Sequence, residues 1–135
     1  MSDPDCIFCQ IVAGALPAHR VHEDERTLAF MDIAPGTPGH LLVIPKAHAR
    51  DVLEIGEGDL GAVVLSAQRM ARRVSERLGA DGVNLINSCG AAGWQTVFHL
   101  HFHVIPRYAG DPLRLPWVPE PGEPTEIAAL AERLR

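Results

Sequence analysis

A chain of 135 residues with 47% hydrophobic and 21% charged residues suits one compact domain with a core large enough to fold unaided. A net charge of −5 and a pI near 5.7 exclude general binding to nucleic acid polymers, which calls for a basic face. No apolar run approaches the roughly 20 residues of a membrane span, and the acidic start Met1-Ser2-Asp3-Pro4-Asp5 has no secretory pattern. Cys6, Cys9 and Cys89 are too few for a secreted disulfide framework. The expectation is a cytoplasmic protein without a membrane partner.

In chain order, Cys6-Ile7-Phe8-Cys9-Gln10-Ile11-Val12 reads as a short helical turn closed by Gly14 and Pro17, with Ile7, Phe8 and Ile11 on one apolar edge. Residues 19–23 form a plausible short strand, Asp24-Glu25-Arg26 a polar hairpin turn, and residues 27–31 a second strand. Asp32-Ile33-Ala34-Pro35-Gly36-Thr37-Pro38-Gly39 is then forced into a loop by its prolines and glycines. The continuous apolar run over residues 40–45 predicts a central strand buried on both faces. A helical turn is expected over residues 51–55, and the clearest helix spans residues 59–78. There Leu60, Val63, Val64, Ala67, Ala71, Val74 and Leu78 make one stripe of a 3.6-residue period, with Gly79 as the C′ residue. Residues 83–87 read as a fourth strand. The chain turns proline-rich after Arg107, and residues 125–135 read as a short terminal helix with Ile127, Leu130 and Leu134 on one side.

Between these lies Val97-Phe98-His99-Leu100-His101-Phe102-His103-Val104-Ile105. Read as one strand, it puts Phe98, Leu100, Phe102 and Val104 on one face and His99, His101 and His103 on the other. Neighbouring imidazoles would stand roughly 6.8 Å apart. That spacing is poor for three ligands of one metal, and three histidines on one short face are a poor choice for a core. The reading that best explains the residues upstream divides the labour among one nucleophile, one proton donor and one anchor. The Gly90–Gly93 loop offers backbone N–H groups and Gln95 and Thr96 add side-chain donors, so an anionic oxygen could be held beside the strand. A neutral imidazole is a competent nucleophile toward phosphorus and forms a covalent intermediate. Separately, Cys6-x-x-Cys9 is either a redox dithiol or half of a metal site, and the βαβ context of the former is missing.

Together with the order short helix, strands, long helix, strands, these features predict an α+β fold: an antiparallel sheet of about five strands with the long helix on one face and a short N-terminal helix. Residues 1–110 would form the domain and residues 111–135 a proline-rich tail.

His99-Leu100-His101-Phe102-His103-Val104-Ile105 resembles the signature of the histidine-triad (HIT) nucleotide hydrolases and transferases. The resemblance extends over Ile7-Phe8, Asp32-Ile33, Pro38-Gly39-His40, Leu42-Val43-Ile44-Pro45-Lys46, Asn87 and Gln95-Thr96-Val97. The N-terminal half looks like the Hint branch, whereas Ile105-Pro106-Arg107 and Gly110-Asp111 also look like the Fhit branch.

The resemblance implies that His101 attacks the α-phosphorus of a purine nucleotide substrate and that His103 hydrogen-bonds the phosphate and protonates the leaving group. It implies that Gln95, Thr96 and Asn87 hold the phosphate and leaving side, that Asp32 accepts from the ribose hydroxyls, and that Ile7, Phe8, Ile11 and Ile33 enclose the base, with His40 in support. Without the resemblance, Asp32 reads as a turn cap and Ile7, Phe8 and Ile11 as core. The activity implied is hydrolysis of nucleoside 5′-phosphoramidates through a nucleotidyl-histidine, releasing a nucleoside monophosphate. Dinucleoside polyphosphate hydrolysis or phosphorolysis, and nucleotide binding without turnover, are the alternatives. The resemblance further implies a structural zinc on Cys6, Cys9, His48 and His99, no catalytic cofactor, and a homodimer paired through the helix and the sheet edge. The chain departs from the family pattern at Gly93-Trp94-Gln95, where many members read Gly-Gln, and Asn87 lies one residue further from the histidines than in the Hint pattern.

Overall fold

The computed structural model describes residues 2–135. Helix α1 (Ile7–Val12) starts at Cys6, whose Sγ accepts the Cys9 N–H and so caps the first turn. Strands β1 (Arg20–Glu23) and β2 (Thr27–Met31) form a hairpin. Asp24 closes its turn: one carboxylate oxygen accepts from the Arg26 and Thr27 N–H groups and the other from the Thr27 hydroxyl. Strand β3 (Leu41–Pro45) follows, then helix α2 (Glu57–Leu78), strand β4 (Gly82–Asn87), strand β5 (Phe102–Arg107) and helix α3 (Pro124–Leu134). Residues 51–55 are a single turn, in which the Glu54 and Ile55 N–H groups donate to the Asp51 carbonyl.

The sheet has the order β1-β2-β3-β5-β4, and every neighbouring pair is antiparallel. Strand alternation sorts the apolar residues onto two faces. Ala29, Leu41, Val43, Leu100 and Val104 meet α2 on one, while Leu28, Phe30, Leu42 and Ile44 meet α1 on the other. The apolar run of β3 is buried on both faces, as a central position requires. Among the described residues no helix is long and apolar enough to cross a membrane.

Two expectations change. The buried stripe of α2 is Val63, Ser66, Ala67, Met70 and Val74, whereas Val64 and Leu78 are 42% and 51% exposed. Ser66 belongs to the stripe because its hydroxyl donates to the Thr27 hydroxyl at 3.1 Å, the Thr27 proton being given to Asp24, so a polar residue is satisfied under the helix. That rotates the buried face by part of a turn from the purely apolar pattern. The histidine segment is also not one regular strand, since the ladder starts only at Phe102. Extending the β3 register of Val43↔Phe102 would bring Pro45 opposite Leu100, and Pro45 has no N–H to give. Leu100 donates instead to the Ala49 carbonyl at 2.7 Å. Leu100, Phe102 and Val104 still pack toward α2. Phe98 does not; it is at the surface beneath the Arg50 guanidinium, 4.5 Å from the ring centroid.

The proline-rich stretch after β5 is tied down where it begins: Arg107 donates to both oxygens of Asp111, the Tyr108 and Leu113 N–H groups donate to the same carboxylate, and Arg107 also reaches the Leu113 carbonyl. Helix α3 is capped by Glu123, and none of its residues is buried.

Candidate active site

His99 and His101 in the approach to β5, His103 within β5 and His40, just before β3, lie on the face that carries α1. Phe8 connects them: its ring stands edge-on to His101 at 5.2 Å and to His99 at 5.8 Å. In front of His101 and His103 is a cleft of about 280 Å³, near the small end of the roughly 300–1,000 Å³ usual for small-molecule sites. Phe8, Ile11, Phe30 and Leu42 form its apolar floor; Asp32, Thr96 and Val97 complete it. Ile7 and Ile33 stand at the rim, 48% and 91% exposed.

Hydrogen bonds to backbone groups settle which nitrogen of each ring carries the proton, because a carbonyl only accepts and an amide N–H only donates. The His101 Nδ1–H donates to the His99 carbonyl at 2.8 Å, which leaves Nε2 with a free lone pair on a ring lining the cleft. The Gly36 N–H donates to His40 Nδ1 at 2.9 Å, so the neutral His40 ring holds its proton on Nε2. That Nε2–H donates to His103 Nδ1 at 2.9 Å, and the His103 proton is thereby placed on Nε2. One ring presents a lone pair and its neighbour, 5.1 Å away between centroids, presents a proton. Burial is the first cause holding all of these rings neutral: it pushes His40 and His101 below the ordinary histidine range and His103 down to about 4, the last helped by repulsion from His101 and His40.

Asp32 has two roles. One oxygen accepts the Ala34 N–H at 2.8 Å, as a turn cap does, while the other lies 3.4 Å from His40 Nε2 and 3.9 Å from His103 Nδ1. Asp32, His40 and His103 also bring donor atoms within metal-binding range of one another. The Gly36 N–H keeps the His40 proton on Nε2, facing the other two, so the trio shares protons in preference to a cation.

A second cluster suits a cation well. Cys6 Sγ, Cys9 Sγ, His48 Nδ1 and His99 Nδ1 all lie within 4.8 Å of one another. The shorter separations are 3.2 Å for His48–His99, 3.3 Å for Cys6–His99, 3.4 Å for Cys9–His48 and 3.5 Å for Cys9–His99. A tetrahedral ion with bonds of roughly 2.0–2.3 Å separates its ligands by roughly 3.3–3.8 Å. The His99 Nε2–H donates to the Pro45 carbonyl at 2.8 Å, so Nδ1 turns a bare lone pair to the thiols, with the second-shell carbonyl that such ligands typically have. Burial pushes the Cys6 thiol up and His99 down to about 4, so neither group is suited to carry charge here alone. The donor set fits a structural Cys2His2 site.

Two residues read from sequence as substrate contacts are engaged elsewhere. The Gln95 carbonyl oxygen accepts the Gly90 N–H, and its amide nitrogen donates to the Arg50 and Val97 carbonyls. Gln95 is 3% exposed and braces the loop from within, so holding a phosphate is not its role in this conformation. Asn87 donates to the His101 carbonyl at 3.0 Å, taking the place of the ladder bond missing past Phe102. It holds the backbone of the proposed nucleophile. Thr96 is exposed at the cleft. Trp94, the sole non-glycine residue with positive φ among those described, stands 64% exposed beyond the loop at φ 75°. Sequence pattern missed the backbone groups of Gly36, Pro45 and Arg50, which leave no residue-type signal. Phe30 and Leu42 were missed as pocket residues too, although strand alternation puts them on the histidine face.

The HIT domain model matches residues 13–110. The chain belongs to the HIT domain family. A crystal structure of a Streptococcus mutans protein superposes with a TM-score of 0.93 at 41% identity, over 98% of this chain and 85% of that one. A zinc-bound histidine triad family protein from Mycobacterium smegmatis is 43% identical with a TM-score of 0.79, over 96% and 95% of the two chains. A histidine triad nucleotide-binding protein from Candida albicans is 29% identical with a TM-score of 0.84, over 96% and 94%.

Proposed function

We propose that this HIT protein hydrolyses nucleotide compounds at the α-phosphorus, with nucleoside 5′-phosphoramidates as its substrate type and a nucleotidyl-His101 intermediate. The observation that carries this is the ordered set of tautomers: a lone pair on His101 Nε2 and a donor on His103 Nε2, set by the His99 carbonyl and the Gly36 amide. A binder has no need of either. In the first half-reaction the His101 Nε2–P bond forms and the bond from phosphorus to the leaving nitrogen breaks. The His103 Nε2–H hydrogen-bonds the leaving nitrogen, which takes its proton from solvent. In the second half-reaction water attacks phosphorus and gives up a proton to solvent, and the N–P bond breaks to release a nucleoside monophosphate and restore His101, with the His103 Nε2–H bonded to the phosphate.

The apolar floor of Phe8, Ile11, Phe30 and Leu42 suits a purine, and the likeness to the Candida albicans nucleotide-binding protein supports a nucleotide there. Asp32 has one oxygen facing the histidines within the cleft wall and is the acceptor we assign to the ribose hydroxyls. The phosphate is left to the backbone of the loop before β5 and to Thr96.

The reading includes zinc on Cys6, Cys9, His48 and His99, supported by the fit of the donors and by the zinc-bound Mycobacterium smegmatis protein. A closed four-ligand zinc supplies a brace and no open position for chemistry. The reduced thiols such a site needs favour a cytoplasmic setting. A homodimer paired along β4 and α2 is also included, supported by Leu85 and Ile86 exposed on the edge strand β4.

Brief exposure to an adenosine 5′-phosphoramidate followed by denaturation and mass spectrometry should find an adenylyl group on His101. His101→Ala should lower turnover by about 10⁴-fold or more. Wild-type turnover in that variant ends the proposal. A parallel assay with a dinucleoside polyphosphate decides between leaving groups.

A further inference from the structure

We infer that the metal site and the nucleotide pocket form one coupled unit, so that metal and nucleotide each tighten the binding of the other. This rests on the zinc and nucleotide assignments above and goes beyond them, because two sites on one domain need not communicate.

The reason is that both sites are built from the same two pieces of chain. Helix α1 is six residues long, far too short to be stable on its own in water. Its N-cap Cys6 and its residue Cys9 point into the metal cluster, whereas Ile7, Phe8 and Ile11 line the cleft. Any displacement of α1 moves ligands and pocket wall together. Its other ties to the sheet are the packing of Phe8 and Ile11 on Leu28, Phe30, Leu42 and Ile44 and the Arg20 guanidinium on the Ile11 carbonyl. An ion that gathers the thiols to His48 and His99 holds α1 against the sheet, and a base resting on Phe8 and Ile11 holds it in the same place. Each ligand lowers the ordering cost left to the other, which is positive coupling.

The second shared piece is His99. Its ring Nδ1 belongs to the metal cluster, its Nε2–H is bonded to Pro45, and its carbonyl receives the His101 Nδ1–H. Phe8 lies against the rings of both His99 and His101. His99 is thus a positioning residue: the ion fixes its ring, and its backbone fixes the tautomer of the ring that faces the nucleotide.

The test uses the protein as purified, with zinc bound. Zinc affinity is measured by competition with a chromogenic chelator, with and without saturating AMP, and a protein-free control corrects for zinc held by AMP itself. AMP should tighten zinc by about tenfold, within the roughly 5- to 150-fold range common for coupled sites. Calorimetry on metal-loaded and metal-stripped protein should show AMP tightened by the same factor, because coupling between two equilibria is reciprocal. If stripping unfolds the chain, the chelator measurement stands by itself. Phe8→Ala keeps all four ligands and all reacting histidines, and should bind zinc with the factor for AMP reduced toward one. Equal zinc affinity with and without saturating AMP overturns the inference while leaving the two sites intact. A protein that binds no zinc, or no AMP, overturns the assignment beneath it instead, and the two failures are read from separate measurements.

Discussion

Replacing His40 by alanine isolates the proton arrangement from the nucleophile. In the structure His40 Nε2–H is the donor 2.9 Å from His103 Nδ1, and the Gly36 N–H behind it sets that direction. Without the donor, His103 can also carry its proton on Nδ1, the wrong side for the leaving group. One neutral hydrogen bond contributes about 0.5–1.5 kcal/mol net, so the ratio of the productive to the wrong tautomer should fall about 2- to 12-fold. Turnover should fall by no more than that factor, far less than the loss expected for His101→Ala. His40→Gln, whose amide N–H can donate to the same nitrogen, should recover part of it. His103 is held at about 4 by burial first and then by His101 and His40, so removing His40 admits water and deletes a like charge. Both changes raise the His103 pKa toward its ordinary value, and the acidic limb of the kcat profile should move to higher pH. Stopped-flow turnover across pH 4–8 on the wild type and both variants gives the comparison. An unmoved acidic limb with unchanged kcat, or a loss as deep as that of His101→Ala, refutes the relay.

Three further outcomes follow from packing and charge. Leu100 is fully buried between α2 and the two histidines beside it, and Leu100→Ala should cost about 2–5 kcal/mol in urea unfolding and reduce turnover as well, because both flanking rings lose their support. Gly39 sits at φ 92°, and a Cβ there would lie 2.4 Å from Leu78 Cδ1; Gly39→Ala should destabilise by more than about 1 kcal/mol, and an unchanged unfolding midpoint would contradict that geometry. His40 and His103 are neutral in the fold with lowered pKa values, His103 at about 4. The unfolded chain therefore binds more protons as pH falls from about 6.5 toward 4. Their contribution to stability is complete above that window and lost through it. Urea midpoints should drop between pH 7 and pH 4.5; a midpoint that rises on acidification is inconsistent with neutral buried histidines.

Much of the fold was legible because local patterns carried it. The alternation in Leu28-Ala29-Phe30 and Leu41-Leu42-Val43-Ile44 already sorts residues between a helix face and a site face. The proline and glycine loop after β2 marks where the chain must turn. Less legible were features whose partner lies far along the chain. Ser66 joins the buried stripe of α2 only because Thr27 is 39 residues away in sequence and 3.1 Å away in space. Gln95 and Asn87 look like substrate donors until Arg50 and the His101 carbonyl are brought beside them.

The sequence by itself determined that three histidines would share one side of the sheet and that a CxxC turn would open the chain, since both are matters of spacing along a backbone of known period. Only the tertiary structure decided what each ring does. The Pro45 carbonyl turns His99 toward the thiols, the His99 carbonyl turns a lone pair of His101 outward, and the Gly36 amide, acting through His40, places the proton of His103. Those partners are backbone groups, alike at every residue, and chain folding alone selects which of them meets which imidazole.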